Sequence, residues 1–267
     1  MLIAITRAVS PTLAECELTH RPRDPISVAD AMAEHAAYEN ALRSLGATVV
    51  RAPAEPTLPD AVFVEDTAIV LDEVAVITRP GAATRRRETE SIANALGAYK
   101  PLLRMRAPAT LDGGDVLRVG RRLYVGLSSR TNPEAIAQLA TLLAKWEYEV
   151  IPVPVHGCLH LKSAVTQVGE RLLLMNDRSV RPASFRDMDV LTVAPAEPDG
   201  ANALLIGGTV IYPAHYPATA ERLARAGVRV VSVPSTEIAK AEGGVTCCSV
   251  VFEAAPDPAN IEVVNWT

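Results

Sequence analysis

The chain has 267 residues, a formal net charge of −5, and 49% hydrophobic against 21% charged residues. That much apolar surface excludes a disordered chain. The 26 Lys plus Arg against 31 Asp plus Glu argue against a nucleic-acid partner. No stretch reaches the ~18 apolar residues of a membrane span. The opening MLIAITRAVSPTLAECE lacks a basic n-region, and Arg7 interrupts its apolar part, so it does not read as a secretory signal. Four cysteines, two of them adjacent at Cys247 and Cys248, are too sparse for a disulfide framework and point to a cytoplasmic protein with free thiols. Length alone allows one domain or two.

In chain order, Ser27 caps a helix in which Met32, His35, Tyr38, Leu42 and Leu45 recur at helical spacing before Gly46 stops it. The strands AVFVEDTAIV and VAVIT follow, joined through Asp72-Glu73. Thr84 opens a helix that runs to about Leu96 and ends at Gly97; its Arg85-Arg86-Arg87 run is a solvated face or a local anion site. VLRV and LYVG meet at a turn over Gly120-Arg121-Arg122. Asn132-Pro133 then starts a helix with a stripe of Ile136, Leu139, Leu143 and Trp146. EVIPV, SAVTQV and RLLLM come next, the last two around Gly169-Glu170, and then DVLTV. ALLIG and TVIYP flank Gly207-Gly208. A helix over 218–226 stops at Gly227, and VRVVSV and TCCSVVF complete the pattern. The tail 253–267 has two prolines and no counterpart upstream. It is a loose extension or packs through Val263, Val264 and Trp266.

A hairpin followed by a crossover to a third strand thus recurs. Each unit opens on a polar residue at or before its first strand: Glu65, Asp112, His160, Asn202 and Cys247, spaced 42 to 48 residues apart. A chance alignment of turn residues is the alternative. The spacing predicts an α/β chain of five copies of one unit. Residues 1–267 then form a single domain closed into a ring, with equivalent positions pointing at a common axis.

That axis would gather chemistry. Cys247 lies in EGGVTCCS, at a strand start, where the paired glycines permit close backbone approach and special φ values. Cys248 alternates to the other face and reads as buried core. His160, between leucines in LHLKS, is a core residue or an acid/base. Asp112 in LDGGD is a turn residue or the carboxylate that orients it. Together, thiol, imidazole and carboxylate are the parts of an activated nucleophile, its general acid/base and an orienter. A structural zinc site needs four ligands in close pairs, which this chain does not offer, so no structural metal is expected; opportunistic zinc at Cys247 and His160 is the open alternative. GGD and EGG lack the context of a phosphate loop, so no cofactor is expected either. Glu65 and Asp66, adjacent on an apolar strand, mark a solvated strand end or a cation site, because unpaired carboxylates there are costly. Arg130, just before a helix cap, is surface charge or an anion ligand.

The blocks LPDAVFVEDTAIV, VITRPGAATRRRE, ATLDGGDVL, VGLSSRTN, GCLHLKS, GANA and EGGVTCCSV, spread from about Ala4 to Phe252, resemble the dimethylarginine dimethylaminohydrolase family. The resemblance implies a five-bladed ββαβ propeller (the pentein fold) with its active site in the central channel. It also implies hydrolysis of Nω-methylated arginines to citrulline and an amine through a covalent thiouronium, without a cofactor. It casts Cys247 as nucleophile, His160 as acid/base and Asp112 as its partner, where some bacterial relatives carry glutamate. It assigns substrate contacts to Asp60, Glu65, Asp66, Arg85 and Arg130, and to Leu18 on a loop covering the pocket. It assigns substrate contacts also to Ala241 and Glu242, which stand where the family usually has an aliphatic residue and Asp. The implied partner is a small-molecule substrate, methylated arginine, with the protein a monomer or homodimer. A guanidine deiminase on the same scaffold, or a non-catalytic binder of cationic amino acids, are the competing readings.

Overall fold

The structure, a computed structural model, describes residues 1–254. β1 (Leu2–Thr6) leads through α1 (Val28–Ser44) to its parallel neighbour β2 (Thr48–Arg51). The second blade is β3 (Ala68–Val70), β4 (Ala75–Ile77), α2 (Thr89–Gly97) and β5 (Leu102–Arg104); the third is β6 (Val116–Val119), β7 (Arg122–Leu127), α3 (Pro133–Leu143) and β8 (Glu149–Pro154). The fourth runs from α4 (Leu161–Ala164) through β9 (Val165–Gln167) and β10 (Leu172–Met175) to β11 (Asp189–Thr192). The fifth holds β12 (Leu204–Ile206), β13 (Thr209–Pro213), α5 (Pro217–Arg225) and β14 (Arg229–Val233). α6 (Thr236–Lys240) then carries the chain to β15 (Val250–Glu253), which pairs antiparallel with β1 and completes the first blade.

Each of the five sheets has three strands, the first antiparallel and the third parallel to the middle one. A parallel neighbour demands a crossover, and the sequence supplies one in each blade. Five hydrophobic clusters hold the ring, one between each pair of adjacent blades. Ile77 meets Ile5 and Val250 between the first two, for instance, and Val210 meets Leu174 between the last two. Stacking blade on blade in this way buries both faces of each short sheet.

Several expectations shift. His35, Tyr38 and Leu42 are buried as expected, but Met32 is 46% exposed and Ala31 takes its place on the buried face of α1. The helix expected from Thr84 begins as a 3₁₀ stretch, Ala83–Glu88. Its three-residue turn stacks Arg85 beside Glu88, with a 2.8 Å ion pair between them. The fourth crossover contains only a 3₁₀ turn, Pro182–Ser184, so that unit is not a full copy. β1, β2 and β5 lie outside the strands predicted from the sequence. β15 runs to Glu253, and Ala254 donates to the Met1 carbonyl at 2.8 Å, so the blade takes the first residues assigned to the tail. Val263, Val264 and Trp266 lie outside the described residues. No helix among the described residues is long and apolar enough to cross a membrane.

Glu65, Asp66, Cys247 and Cys248 are not on strands. Glu65 and Asp66 occupy a 3₁₀ turn before β3, and the two cysteines a turn before β15. A strand would send neighbouring side chains to opposite faces. The tighter turns instead bring Glu65 and Asp66 both into the buried centre of the ring.

Candidate active site

The five polar marks stand just before the first strands of their blades, and hydrogen bonds join one blade to the next there. Thr246 donates its hydroxyl to Glu65 at 2.7 Å, and the Glu65 N–H donates to the Cys247 carbonyl at 3.1 Å. The Gly114 N–H donates to Asp66 at 2.9 Å, and the Leu161 N–H to Asp115 at 2.9 Å. Thr166 donates to the Ala201 carbonyl at 2.7 Å, and the Asn202 side chain exchanges bonds with Thr246 at 2.9 and 3.0 Å. The circuit is closed. Its glycines serve close approach: a Cβ on Gly113 would lie 2.0 Å from the Glu65 carbonyl, and one on Gly114 2.6 Å from His160 Nδ1. Neither they nor Gly243 and Gly244 need a positive φ; the left-handed residue in this loop is Glu242, at φ 57°.

His160 Nε2 lies 3.0 Å from Asp112 Oδ2, and Nδ1 lies 3.8 Å from Asp66. Burial opposes the imidazolium, but Asp66, the bonded Asp112 and Asp115 outweigh it and lift His160 to about 9. Asp112 is fully buried, and its other oxygen accepts the Gly81 N–H at 2.8 Å. Burial pushes Asp115 up to about 6, although it accepts hydroxyls from Ser128 and Thr131. Asp66 is held down at about 2: burial would raise it, but His160 and Arg85 prevail. Burial, then Glu65 and Asp66, push the Cys247 thiol up to about 12, and the Gly244 N–H points at its sulfur at 3.3 Å.

Eight of the residues singled out from sequence line one cavity of about 20 Å³: Asp60, Asp66, Arg85, Arg130, His160, Ala241, Glu242 and Cys247. That is the room of about a single water. Asp112 and Glu65 stand behind this lining, and Leu18 packs half-buried on the cluster that contains Phe63 and Ala241. Cys247 also borders a second cavity of about 230 Å³, toward the fourth and fifth blades.

Several side chains are already engaged. Arg85 is buried against Asp66 at 2.6 Å, Glu88 at 2.8 Å and the Phe63 carbonyl at 3.0 Å. Arg130 donates to the Thr19 hydroxyl at 3.1 Å, and Asp60 accepts the Glu17 N–H at 3.1 Å. The Glu242 carboxylate accepts backbone N–H groups of Thr19, His20 and Arg21. Asp66, Asp112 and His160 each bring one potential metal ligand within 4.8 Å of the others. All three are committed to bonds with each other, with backbone N–H groups or with Arg85, whose cationic guanidinium disfavours a second cation there.

Sequence reasoning missed Lys162, whose ammonium meets Glu65 at 2.6 Å, and the partners Glu88, Asp115 and Thr246. A faint signal existed for two of them. Lys162 follows His160 by two residues, and Asp115 closes the DGGD run.

A ring of five αβ blades with a thiol and an imidazole–carboxylate pair at its centre defines a pentein. A profile described as "N,N dimethylarginine dimethylhydrolase, eukaryotic" matches residues 18–194. The chain is 36% identical to the N(G),N(G)-dimethylarginine dimethylaminohydrolase of Pseudomonas aeruginosa over 84% of this chain and 89% of that one. It is 37% identical to that of Streptomyces coelicolor over 92% and 95%. It therefore belongs to the dimethylarginine dimethylaminohydrolase family. A solved structure of a cysteine-to-serine mutant of the Pseudomonas aeruginosa enzyme, complexed with citrulline, superposes with a TM-score of 0.88 at 34% identity, covering 94% of this chain and 98% of that one. The N-terminal domain of ArgZ, an arginine dihydrolase, shares the fold at a TM-score of 0.84 and 18% identity, over 95% and 98% of the two chains.

Proposed function

We propose that this protein hydrolyses Nω-mono- and dimethylated arginine to citrulline and methylamine or dimethylamine. One observation carries the reading. A cavity bordered by the Cys247 thiol and His160 has carboxylates, Asp60 and Asp66, and arginines, Arg85 and Arg130, in its wall. Carboxylates suit a guanidinium and an α-ammonium, and a guanidinium fork suits an α-carboxylate. Arg130 is the better placed for that fork, because Arg85 already neutralises Asp66 and Glu88. Asp60 then takes the ammonium. Asp66, with Glu65 behind it, stabilises the guanidinium. Ala241 and Leu18 shape the apolar wall and cover.

A thiol at about 12 is protonated at neutral pH. The arriving guanidinium places a cation beside it, lowering its pKa, and the proton leaves to solvent. The thiolate attacks the guanidinium carbon, forming the C–S bond. His160, cationic at neutral pH, gives its proton to the departing nitrogen as the C–N bond breaks, leaving a thiouronium. The now neutral imidazole takes a proton from water, which attacks the same carbon; the C–S bond then breaks as the new hydroxyl gives its proton to the departing thiolate, and citrulline leaves with Cys247 again a thiol. Asp112 holds the ring in place and favours its cationic form. The same reading makes residues 1–254 one catalytic domain, since β15 and β1 close the ring. It also sets the protein in the reducing cytoplasm, because Cys247 must stay a free thiol.

The test is citrulline formation from dimethylarginine by the purified protein, with arginine and agmatine as comparators. Dimethylarginine is expected to be the preferred substrate and Cys247→Ser to show no turnover. Turnover of arginine or agmatine alone, or near-parent activity in Cys247→Ser, overturns the proposal.

A further inference from the structure

We infer that Glu242 is a positioning residue that latches the 17–23 loop over Cys247. Its carboxylate gathers three consecutive backbone N–H groups, from Thr19 at 2.8 Å, His20 at 2.5 Å and Arg21 at 2.6 Å. Successive amides converging on one anion form a nest, and bonds to an ionised acceptor are the strong kind. To present that carboxylate, Glu242 adopts φ 57°, which costs a non-glycine side chain some strain. The strain sits at a residue that ties the loop to the turn carrying the nucleophile: two residues on, the Gly244 N–H points at the Cys247 sulfur.

The loop's other ties differ in kind. The Glu17 carboxylate accepts the Thr84 hydroxyl at 2.8 Å, an exposed bond, while the Glu17 N–H uses Asp60 and the Thr19 hydroxyl uses Arg130. The last two partners are the ones that matter for entry. These are the groups that the proposed function, on which this step rests, assigns to the ammonium and carboxylate of the substrate. Substrate must therefore displace the loop from Asp60 and Arg130. The Glu242 contacts compete with no substrate group and survive that exchange. Arg21 adds an ion pair with Asp199, which is exposed and so screened. The cavity beneath, at about 20 Å³, is too small for an amino acid. The loop must lift to admit one, and Glu242 then returns it to the same seat with the substrate inside. The latch thus acts on substrate retention more than on the chemical step.

The experiment uses the full chain with E242Q and E242D. Gln keeps the length but turns an NH₂ group toward donors. Asp keeps the charge one methylene shorter. Backbone amide exchange is followed in a peptide covering residues 17–23, alongside kcat and KM for dimethylarginine and the thermal midpoint. E242Q is expected to speed exchange at Thr19, His20 and Arg21 about tenfold and to raise KM about tenfold, with kcat within about threefold, the loss expected for charge-assisted bonds. E242D is expected to recover most of both, with the midpoint of each variant close to the parent's. Exchange within about twofold of the parent in E242Q overturns the latch. Faster exchange with unchanged KM overturns its role in retention, and a fall in kcat alone assigns Glu242 to the cysteine turn instead. If the parent does not turn over dimethylarginine, the proposed function fails, and the exchange measurement still decides the latch.

Discussion

His160 and His35 are buried to nearly the same degree, at 4% and 3% exposure, yet their surroundings drive them in opposite directions. His160 is lifted to about 9, and His35 is pushed down to about 4. Burial acts against the charge in both. The difference lies in the carboxylates each one faces. His160 meets Asp66, Asp112 and Asp115, and of these only Asp66 shares an arginine. His35 meets Glu39 alone, at 3.9 Å, and Glu39 is already answered by Arg51, Arg43 and the Thr6 hydroxyl. Among the described residues, His35 Nε2 has no hydrogen-bond partner. A buried histidine becomes a poised acid where negative charge around it is in excess, and an inert core ring where that charge is spent elsewhere.

The largest expected contrast is in turnover. His160→Ala should lower kcat by about 10²–10⁴, the usual worth of a general acid/base. His35→Leu should leave kcat within about twofold. Steady-state assays of the two variants break the comparison if their losses are similar.

A second prediction concerns the cause of the contrast. Asp112→Asn removes the charge bonded to His160, so the alkaline limb of the kcat/KM profile should move from about 9 toward the ordinary histidine value near 6.5. A limb that stays in place would show that Asp112 does not sustain the imidazolium.

Stability should divide the two residues by pH. His35 binds its proton more readily unfolded, so stability falls as pH drops from about 6.5 toward 4, by roughly 2 kcal/mol at pH 5. His160 has the opposite sign: its raised value stabilises the fold below about 6.5, and that stabilisation is lost as pH rises through about 9. Urea unfolding of the parent and His35→Leu at pH 5 and 7 measures the first effect, which the leucine should abolish. The smallest effect is expected at Met32, on the outer side of the same helix. Met32→Gln should change stability by less than about 0.5 kcal/mol, since the side chain is 46% exposed. A larger loss would mean that Met32 packs with His35, Tyr38 and Leu42 after all.

Much of the blade pattern was legible locally. Glycine-bearing turns such as Gly120-Arg121 and Gly207-Gly208 announced hairpins, and the Asn132-Pro133 cap announced α3. Two of the three missed strands are telling: β2 and β5 are three to four residues long and carry an exposed arginine at one end. Short edge strands show too little alternation to stand out. The marks Cys247 and Glu65, and Asp66 beside the latter, were set on strands but lie in turns, because a β-branched run gives no sign of where a turn ends and a strand begins.

By itself, the sequence determined the five-unit spacing, the α/β class and the presence of a thiol, an imidazole and a carboxylate at equivalent marks. Composition and periodicity are local properties, and these features needed nothing else. Only the tertiary structure decided which histidine is charged, that Lys162 closes on Glu65, that Arg85 is spent on Asp66 and Glu88, and that Glu242 holds the backbone of the 17–23 loop. Those outcomes are sums of Coulomb and desolvation effects among groups mostly far apart in the chain, 97 residues for Lys162 with Glu65 and 223 for Glu242 with the Thr19 N–H. Their magnitudes depend on ångström-scale separations that exist only once the ring has closed.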